Sequence, residues 1–304
     1  MPRHLRFQQN IWSTHHVVSR CLQGFSFLTP HINIVEVIKG VFAYALDQYK
    51  DHITLQHYAF LSNHFHLLIS SKDRIDLAGF MRLFKSKLTR EINRIYDWKG
   101  SIWEGRYSSE EVLDEESFID IFKYITKNSV KEGLVSHPSE WMGLHGYHQL
   151  VEKKPLRGAY VHRMRLHQEP KLTELEATKH YEVQLLPPPM WESGGLESYY
   201  ERSAMLCEAA IIEARQGVKG PPMGMQKVLE MPVFKPIKAP VGTRPLCRAK
   251  CVHILLEFRK KYYDFKAAFQ EVSSKIRKSI RLRLPMPQLI FPDGGVPLFC
   301  GRRG

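Results

Sequence analysis

Two strand-like runs, ITLQHYAFL at 53–61 and HFHLLIS at 64–70, are separated only by Ser62 and Asn63. So short a polar link between two β-branched and aromatic segments predicts an antiparallel hairpin. On either side of it the period changes. Ile34, Val35, Ile38, Val41, Phe42, Ala45, Leu46 and Tyr49 recur at spacings of three and four and predict a helix over about 31–50. Leu77, Phe80, Met81, Phe84, Leu88, Ile92 and Ile95 predict a second, longer one. With a short strand at 15–21 (HHVVSRC) before the first helix and an edge strand at 108–113 after the second, the order is β-α-β-β-α-β. That order predicts an α+β class, a ferredoxin-like antiparallel sheet with its helices on one face. A third helix opens at Asp114-Glu115-Glu116, acidic where the helix dipole favours it, and runs to about Asn128.

Beyond about residue 150 the texture changes. Pro155, Pro170 and Pro187–Pro189 interrupt a linker-like region, and a helix is expected at about 196–216. An extended Pro/Gly-rich stretch from Gly217 to Pro245 leads to a long helix at about 248–283, and Pro285–Gly304 reads as extended. The expectation is therefore a 1–150 domain followed by a basic, largely helical 151–304 region with Pro-rich connections. Five dispersed cysteines do not form a disulfide framework. Cys247 and Cys251, with His253 nearby, lack the second ligand pair of a zinc site and read as packing residues. No apolar run approaches the roughly 18–20 residues that span a bilayer, and the first residues do not resemble a secretory signal. The expected address is the cytoplasm.

Charge points to the partner. The 44 Lys and Arg outnumber the 31 Asp and Glu, a net of +13. An excess of that size favours a polyanion, because neutralised phosphates release counterions. Between Arg244 and Arg283 twelve Lys/Arg face three Asp/Glu, so +9 of the total lies in one segment. Lys275, Arg277, Lys278 and Arg281 on that segment, with Arg82 and Lys85 on the second helix, are the candidate contacts to a nucleic-acid backbone.

His64 and His66, two apart in a strand, project from one face with Cα atoms roughly 6.5–7 Å apart, close enough for two imidazoles to chelate one cation. With 15 histidines in 304 residues, roughly 0.7 such triplets arise by chance, so the pair needs company. That company is on the third helix. Phe118, Phe122 and Ile125 form its buried stripe, and Tyr124 and Asn128, at i and i+4, share the flank. One reading is a packed phenol and an amide that caps the helix end. The other is a nucleophile and an oxygen ligand beside a metal.

These segments resemble the REP-associated tyrosine transposases, a bacterial branch of the HUH single-strand transposases. The resemblance rests on LSNHFHLLI at Leu61–Ile69, IWEGRY at Ile102–Tyr107 followed by Asp114–Glu116, and YITKNSVKEGLV at Tyr124–Val135, and it covers about residues 8–148. Two positions differ. Ser62 and Ser129 stand where the family usually has proline. The resemblance implies that His64 and His66 bind Mg²⁺ or Mn²⁺, that Asn128 is the third ligand and that Tyr124 is the nucleophile. It further implies an HUH endonuclease core that cleaves and rejoins single-stranded or hairpin DNA through a 5′-phosphotyrosine. It would act without a nucleotide cofactor, away from membranes, in a bacterial cytoplasm at the nucleoid. Tyr107 is a rival nucleophile by chemistry, but it lacks the amide four residues on. A domesticated relative that binds hairpins with little or no cleavage is the alternative. The hairpin recognised and the oligomeric state are not legible in the sequence.

Overall fold

The protein is described from a computed structural model that covers Leu5 and residues 7–217, 220–237 and 245–281. Strand β1 (Ser13–Arg20) leads into helix α1 (Ile32–Gln48), which returns to β2 (Ile53–Phe60). The hairpin partner β3 (His64–Ser71) feeds α2 (Arg74–Tyr96), and β4 (Ser108–Val112) closes the unit. Among the described residues the strand order is β2-β3-β1-β4, every pair antiparallel, as the element order predicts.

Alternation along the strands decides which helix covers which face. Phe65 points to one side, where α1 and α2 pack through Phe42 and Phe84; the Phe65 and Phe84 centroids are 5.6 Å apart and those of Phe42 and Phe84 5.1 Å. The side chains of Asp73 and Asp114 then set where the next helices begin. Asp73 caps α2 by accepting from the backbone N–H groups of Ile75 and Asp76 at 2.6 and 2.7 Å. Asp114 caps α3 (Glu115–Thr126) by accepting from Ser117 N–H at 2.9 Å.

Helix α3 lies on the other face, where Phe122 stacks on His57 of β2 at 4.6 Å. The expectation of helices on one face thus holds for α1 and α2, while α3 covers the side that carries His64 and His66. The reason is amphipathic. The sheet exposes buried residues on both faces, and α3 brings its own apolar stripe of Phe118, Ile121, Phe122 and Ile125 to the second one. The chain breaks helical geometry at Lys127 and resumes as α4 (Asn128–Lys131).

The later residues pack onto this unit. After α5 (Tyr147–Val151), the stretch read as a linker forms a hairpin of β5 (Leu156–Val161) and β6 (Thr178–Val183), with α6 (Arg163–Gln168) between them. The hairpin lies against α1, Tyr160 stacking on Tyr44 at 4.3 Å. Gly40 of α1 and Gly158 of β5 make the approach possible, since a Cβ on either would collide with the other segment's backbone. Helix α7 (Gly195–Gly217), close to the expected range, braces α3 from outside. Its Glu213 pairs with Lys123 and Lys127 at 2.7 and 2.8 Å, and Phe118 packs on Trp191 at 4.7 Å. A short α8 (Met225–Glu230) follows, and Phe234 then docks among Phe25, Phe27, Tyr96 and Trp98.

Strand β7 (Cys247–Arg248) adds two residues to the free edge of β4, in parallel, and makes the sheet mixed. Asp114, already the cap of α3, also accepts from the N–H groups of Lys250 and Cys251, which anchors this segment. Helix α9 (Val252–Arg281) follows, matching the predicted long helix, and Phe258 and Phe265 pack on Phe7. Cys247 is buried in that small cluster and Cys251 is exposed. The expected extended end, Pro285–Gly304, lies outside the described residues. Within them no helix is long and apolar enough to cross a membrane.

Candidate functional site

The site face of the sheet is a row of polar side chains set by strand register. His64 and His66 project from β3, and His16 and Arg20 from β1, where Arg20 lies opposite His64 and Val18 opposite His66. Glu110 of β4 stands directly across from His16. Over this row lies the end of α3. The Tyr124 ring meets His66 edge-on at 5.3 Å and His16 at 6.3 Å, and the Lys131 ammonium sits 4.9 Å above the Tyr124 ring. The rings of His64 and His66 lie 5.0 Å apart with Tyr124 over His66, and the buried Asn128 opens α4 one helical turn beyond Tyr124. Tyr107, the chemical rival, is buried in the main core.

Burial and charge keep the imidazoles of His64 and His66 neutral. His66 is 4% exposed and held well below the usual histidine range, first by desolvation and then by His64, His16, Arg20 and Lys131. His64 is pushed down to about 4 by burial and by Arg20. Neutral imidazoles offer lone pairs, and hydrogen bonds decide which nitrogen carries one. His64 Nδ1–H donates to Asn63 Oδ1 at 2.7 Å, leaving Nε2 as the acceptor. His66 Nδ1 is 3.0 Å from His16 Nε2, and His66 Nε2 has no partner. Both amide atoms of the fully buried Asn128 are likewise unpartnered.

Such orphaned buried atoms cost free energy unless something meets them. The imidazole Nε2 atoms of His64 and His66 and the Asn128 carboxamide oxygen are donor types that a divalent cation takes. Among the described residues no three His, Cys, Asp or Glu side chains form a metal-binding group. A cation here would rest on two imidazoles and one carboxamide, with its remaining positions open.

The Tyr124 phenol is half-buried, and desolvation, aided by Glu132, raises its pKa. The nearby Asn128 amide, Arg20 and Arg248 oppose that rise. Glu110 is 7% exposed; burial raises its pKa, yet His16 and Arg248 outweigh burial and keep it ionised. Three cationic residues, Arg20, Lys131 and Arg248, thus act on the phenol or its ring. Sequence reasoning missed all three, and also His16 and Glu110. The signal available for two of them was alternation in β1, which puts His16 and Arg20 on one face.

The expected backbone-contact residues lie elsewhere. Arg82 and Lys85 are on α2, across the sheet from this site; Arg82 is exposed, while Lys85 donates to Gly105 O at 2.9 Å and covers the Trp103 ring. Lys275, Arg277 and Lys278 are exposed on α9, and Lys275 pairs with Glu271. Arg281 ends α9, and its side chain lies outside the described residues.

A ferredoxin-like sheet with two strand histidines under a helix tyrosine is the arrangement that the sequence motifs imply. Comparison with known families agrees: residues 13–128 match the model of the IS200-like transposases. Among solved structures it is similar to a REP-associated tyrosine transposase bound to a REP hairpin, at 17% identity over 50% of this chain and 87% of that one, TM-score 0.39. It is also similar to a transposase described as putative, from Deinococcus radiodurans, at 15% identity over 41% of this chain and 95% of that one, TM-score 0.29. No curated protein matches.

Proposed function

We propose that this protein cleaves and rejoins single-stranded or hairpin DNA with Tyr124 as its nucleophile and His64, His66 and Asn128 as metal ligands. One observation carries the reading. A half-buried phenol stands over a buried imidazole whose Nε2 is unpartnered, beside a carboxamide with no partner of its own. Imidazole nitrogen and carboxamide oxygen are both donors that a divalent cation takes, and the phenol stands over the imidazole.

In this scheme Tyr124 Oη attacks the scissile phosphorus, an O–P bond forms and the P–O3′ bond breaks. The phenol proton ends on the departing 3′ oxygen, so the products are a 5′-phosphotyrosine and a free 3′-OH. The ester conserves the energy of the broken linkage, and reversal by a second 3′-OH rejoins a strand without a nucleotide cofactor. When bound, Mg²⁺ or Mn²⁺ supplies Lewis-acid polarisation of the phosphate. Arg20 and Lys131 sit where they would offset charge on the phosphate and on the phenolate. Glu213, holding Lys123 and Lys127, and Trp191 against Phe118 keep α3 seated, which fixes the angle of attack.

The test is direct. Labelled single-stranded hairpins incubated with the protein and Mn²⁺ should yield a covalent protein–DNA product that resists denaturant. Binding without any such product, over a broad set of hairpins, would favour a DNA-binding role instead.

A further inference from the structure

The polar row on the site face runs on past His16 to the edge of the sheet. Glu110 of β4 stands across from His16, and beyond it β7 joins β4 in parallel, with Arg248 opposite Val112. Arg248 reaches back along β4, and its Nε–H donates to Glu110 Oε2 at 2.6 Å. The guanidinium therefore lies on the face that carries His16, His64 and His66, although 138 residues separate it from its acceptor.

The backbone around Arg248 is held from two sides. On the sheet, Leu113 N–H donates to Arg248 O at 2.9 Å and Glu111 N–H to Leu246 O at 3.1 Å. On the helix side, Asp114 Oδ2 accepts from the N–H groups of Lys250 and Cys251 at 2.6 and 3.0 Å, and Lys250 Nζ pairs with Asp120 Oδ2 of α3 at 2.5 Å. The same Asp114 caps α3, the helix that carries Tyr124. Arg248 is thus in register with both the histidine strands and the tyrosine helix.

An arginine side chain has five N–H donors, no acceptor and a permanent charge. Glu110 takes only the Nε–H; among the described residues nothing accepts from the two Nη groups, and the side chain is 49% exposed. The edge left open, Nη1 with Nη2, presents two parallel donors that match a pair of phosphate oxygens. Glu110 offsets one charge, but Arg20, Lys131 and Arg248 outnumber Glu110 and Glu132, so the site keeps a net positive charge for an incoming strand.

We propose that Arg248 is a phosphate-binding residue of this site: Glu110 orients it, and its Nη1 and Nη2 groups take one backbone phosphate of the DNA strand that lies over Tyr124. The site is then completed by a residue beyond the 13–128 match, supplied by the C-terminal region. The inference rests on the DNA-cleaving reading above, and its test reads a single phosphate contact and not cleavage.

The experiment uses the full chain and hairpins with single-stranded flanks in which one phosphate at a time is replaced by a neutral methylphosphonate. Affinity is measured by fluorescence anisotropy without added metal, so that cleavage does not intervene. Wild type should lose affinity roughly 10–100-fold at the flank position that Arg248 contacts. Arg248→Ala should bind the unmodified hairpin more weakly by a similar factor, lose nothing further at that position and keep the wild-type losses elsewhere. Arg248→Lys keeps the charge and the reach to Glu110 but lacks the planar donor pair, so it should show a reduced loss at the same position. Thermal melting checks that each variant folds. A residue that only fastens β7 would leave both variants as sensitive as wild type at every position, and that pattern would overturn the proposal. A wild type that binds no hairpin would defeat the DNA reading itself, and the proposal with it.

Discussion

The ring of Tyr124 stands edge-on to that of His66, at 82° with centroids 5.3 Å apart, so that an α3 side chain and a β3 side chain share one small volume. Neither residue has a packing reason to be polar there. The pairing depends on α3 lying on the histidine face, on α7 bracing it from behind, and on His16 and Glu110 extending the row beneath it.

Removing either strand histidine should strip the metal site and spare the fold. His64→Ala and His66→Ala should each weaken Mn²⁺ binding by more than the ~10–100-fold typical of changes outside the ligand set. His64 is only partly buried, so its variant should melt within about 4 °C of wild type. Titration calorimetry with Mn²⁺ beside a melting curve separates the two effects.

Stability should fall on acidification below neutrality. His57 is held well below the usual range by burial and then by His145; burial takes His145 down to about 4 and His15 to about 3. For each, the unfolded chain binds more protons than the folded one between the folded value and about 6.5, so stability is lost as pH falls through that window. Glu111, raised to about 7 by burial, acts in the opposite sense, since its folded form keeps a proton that the unfolded chain releases above about 4.5. With His64 and His66 lowered in the same way, the histidines outnumber Glu111 and the net effect is a loss of stability as pH falls from about 6.5 toward 5. Denaturant midpoints at pH 7 and pH 5 measure it; an equal or higher midpoint at pH 5 would contradict it.

The close approach of Gly40 and Gly158 should tolerate no side chain. Gly40→Ala places a methyl against the Ala159 carbonyl and should cost about 1–3 kcal/mol through displacement of the β5–β6 hairpin. A melting temperature equal to wild type would show that the hairpin is free to give way.

Much of this was legible in the sequence, and the gaps have physical causes. Spacings of three and four marked α1 and α2, and the two-residue link at Ser62 and Asn63 marked the hairpin, because both signals are local. Tyr124 and Asn128 could be placed on one flank for the same reason. Alternation put His64 and His66 on one face but did not say which helix would cover it. His16 and Glu110 meet only through the β1–β4 pairing of strands far apart in the chain, a register no local pattern encodes. Arg248 arrives through a strand of two residues, too short for any period to show. The β5–β6 hairpin was missed because β6 buries only Tyr181 fully and carries no apolar alternation.

The exposed cations of α9 should act on DNA through charge. Changing Lys275, Arg277 and Lys278 to Gln should lower the slope of log affinity against log salt by up to about 0.7–0.9 for each phosphate that the helix no longer neutralises. Fluorescence anisotropy with a labelled hairpin across a salt series gives the slope, and an unchanged one would remove α9 from the DNA-binding surface.

The central claim is that Tyr124 attacks the strand, and the most direct measurement is the location of the covalent bond. The protein is trapped on a hairpin in Mn²⁺, digested, and the nucleotide-bearing peptide identified by mass spectrometry. Tyr124→Phe keeps the ring and its apolar area, so packing on His66 and hairpin binding should be nearly unchanged while the adduct vanishes. Tyr107→Phe should still form it. The account predicts the nucleotide on the peptide that contains Tyr124. An adduct on Tyr107, or strand cleavage by Tyr124→Phe at the wild-type rate, would contradict it, the latter by requiring water as the nucleophile.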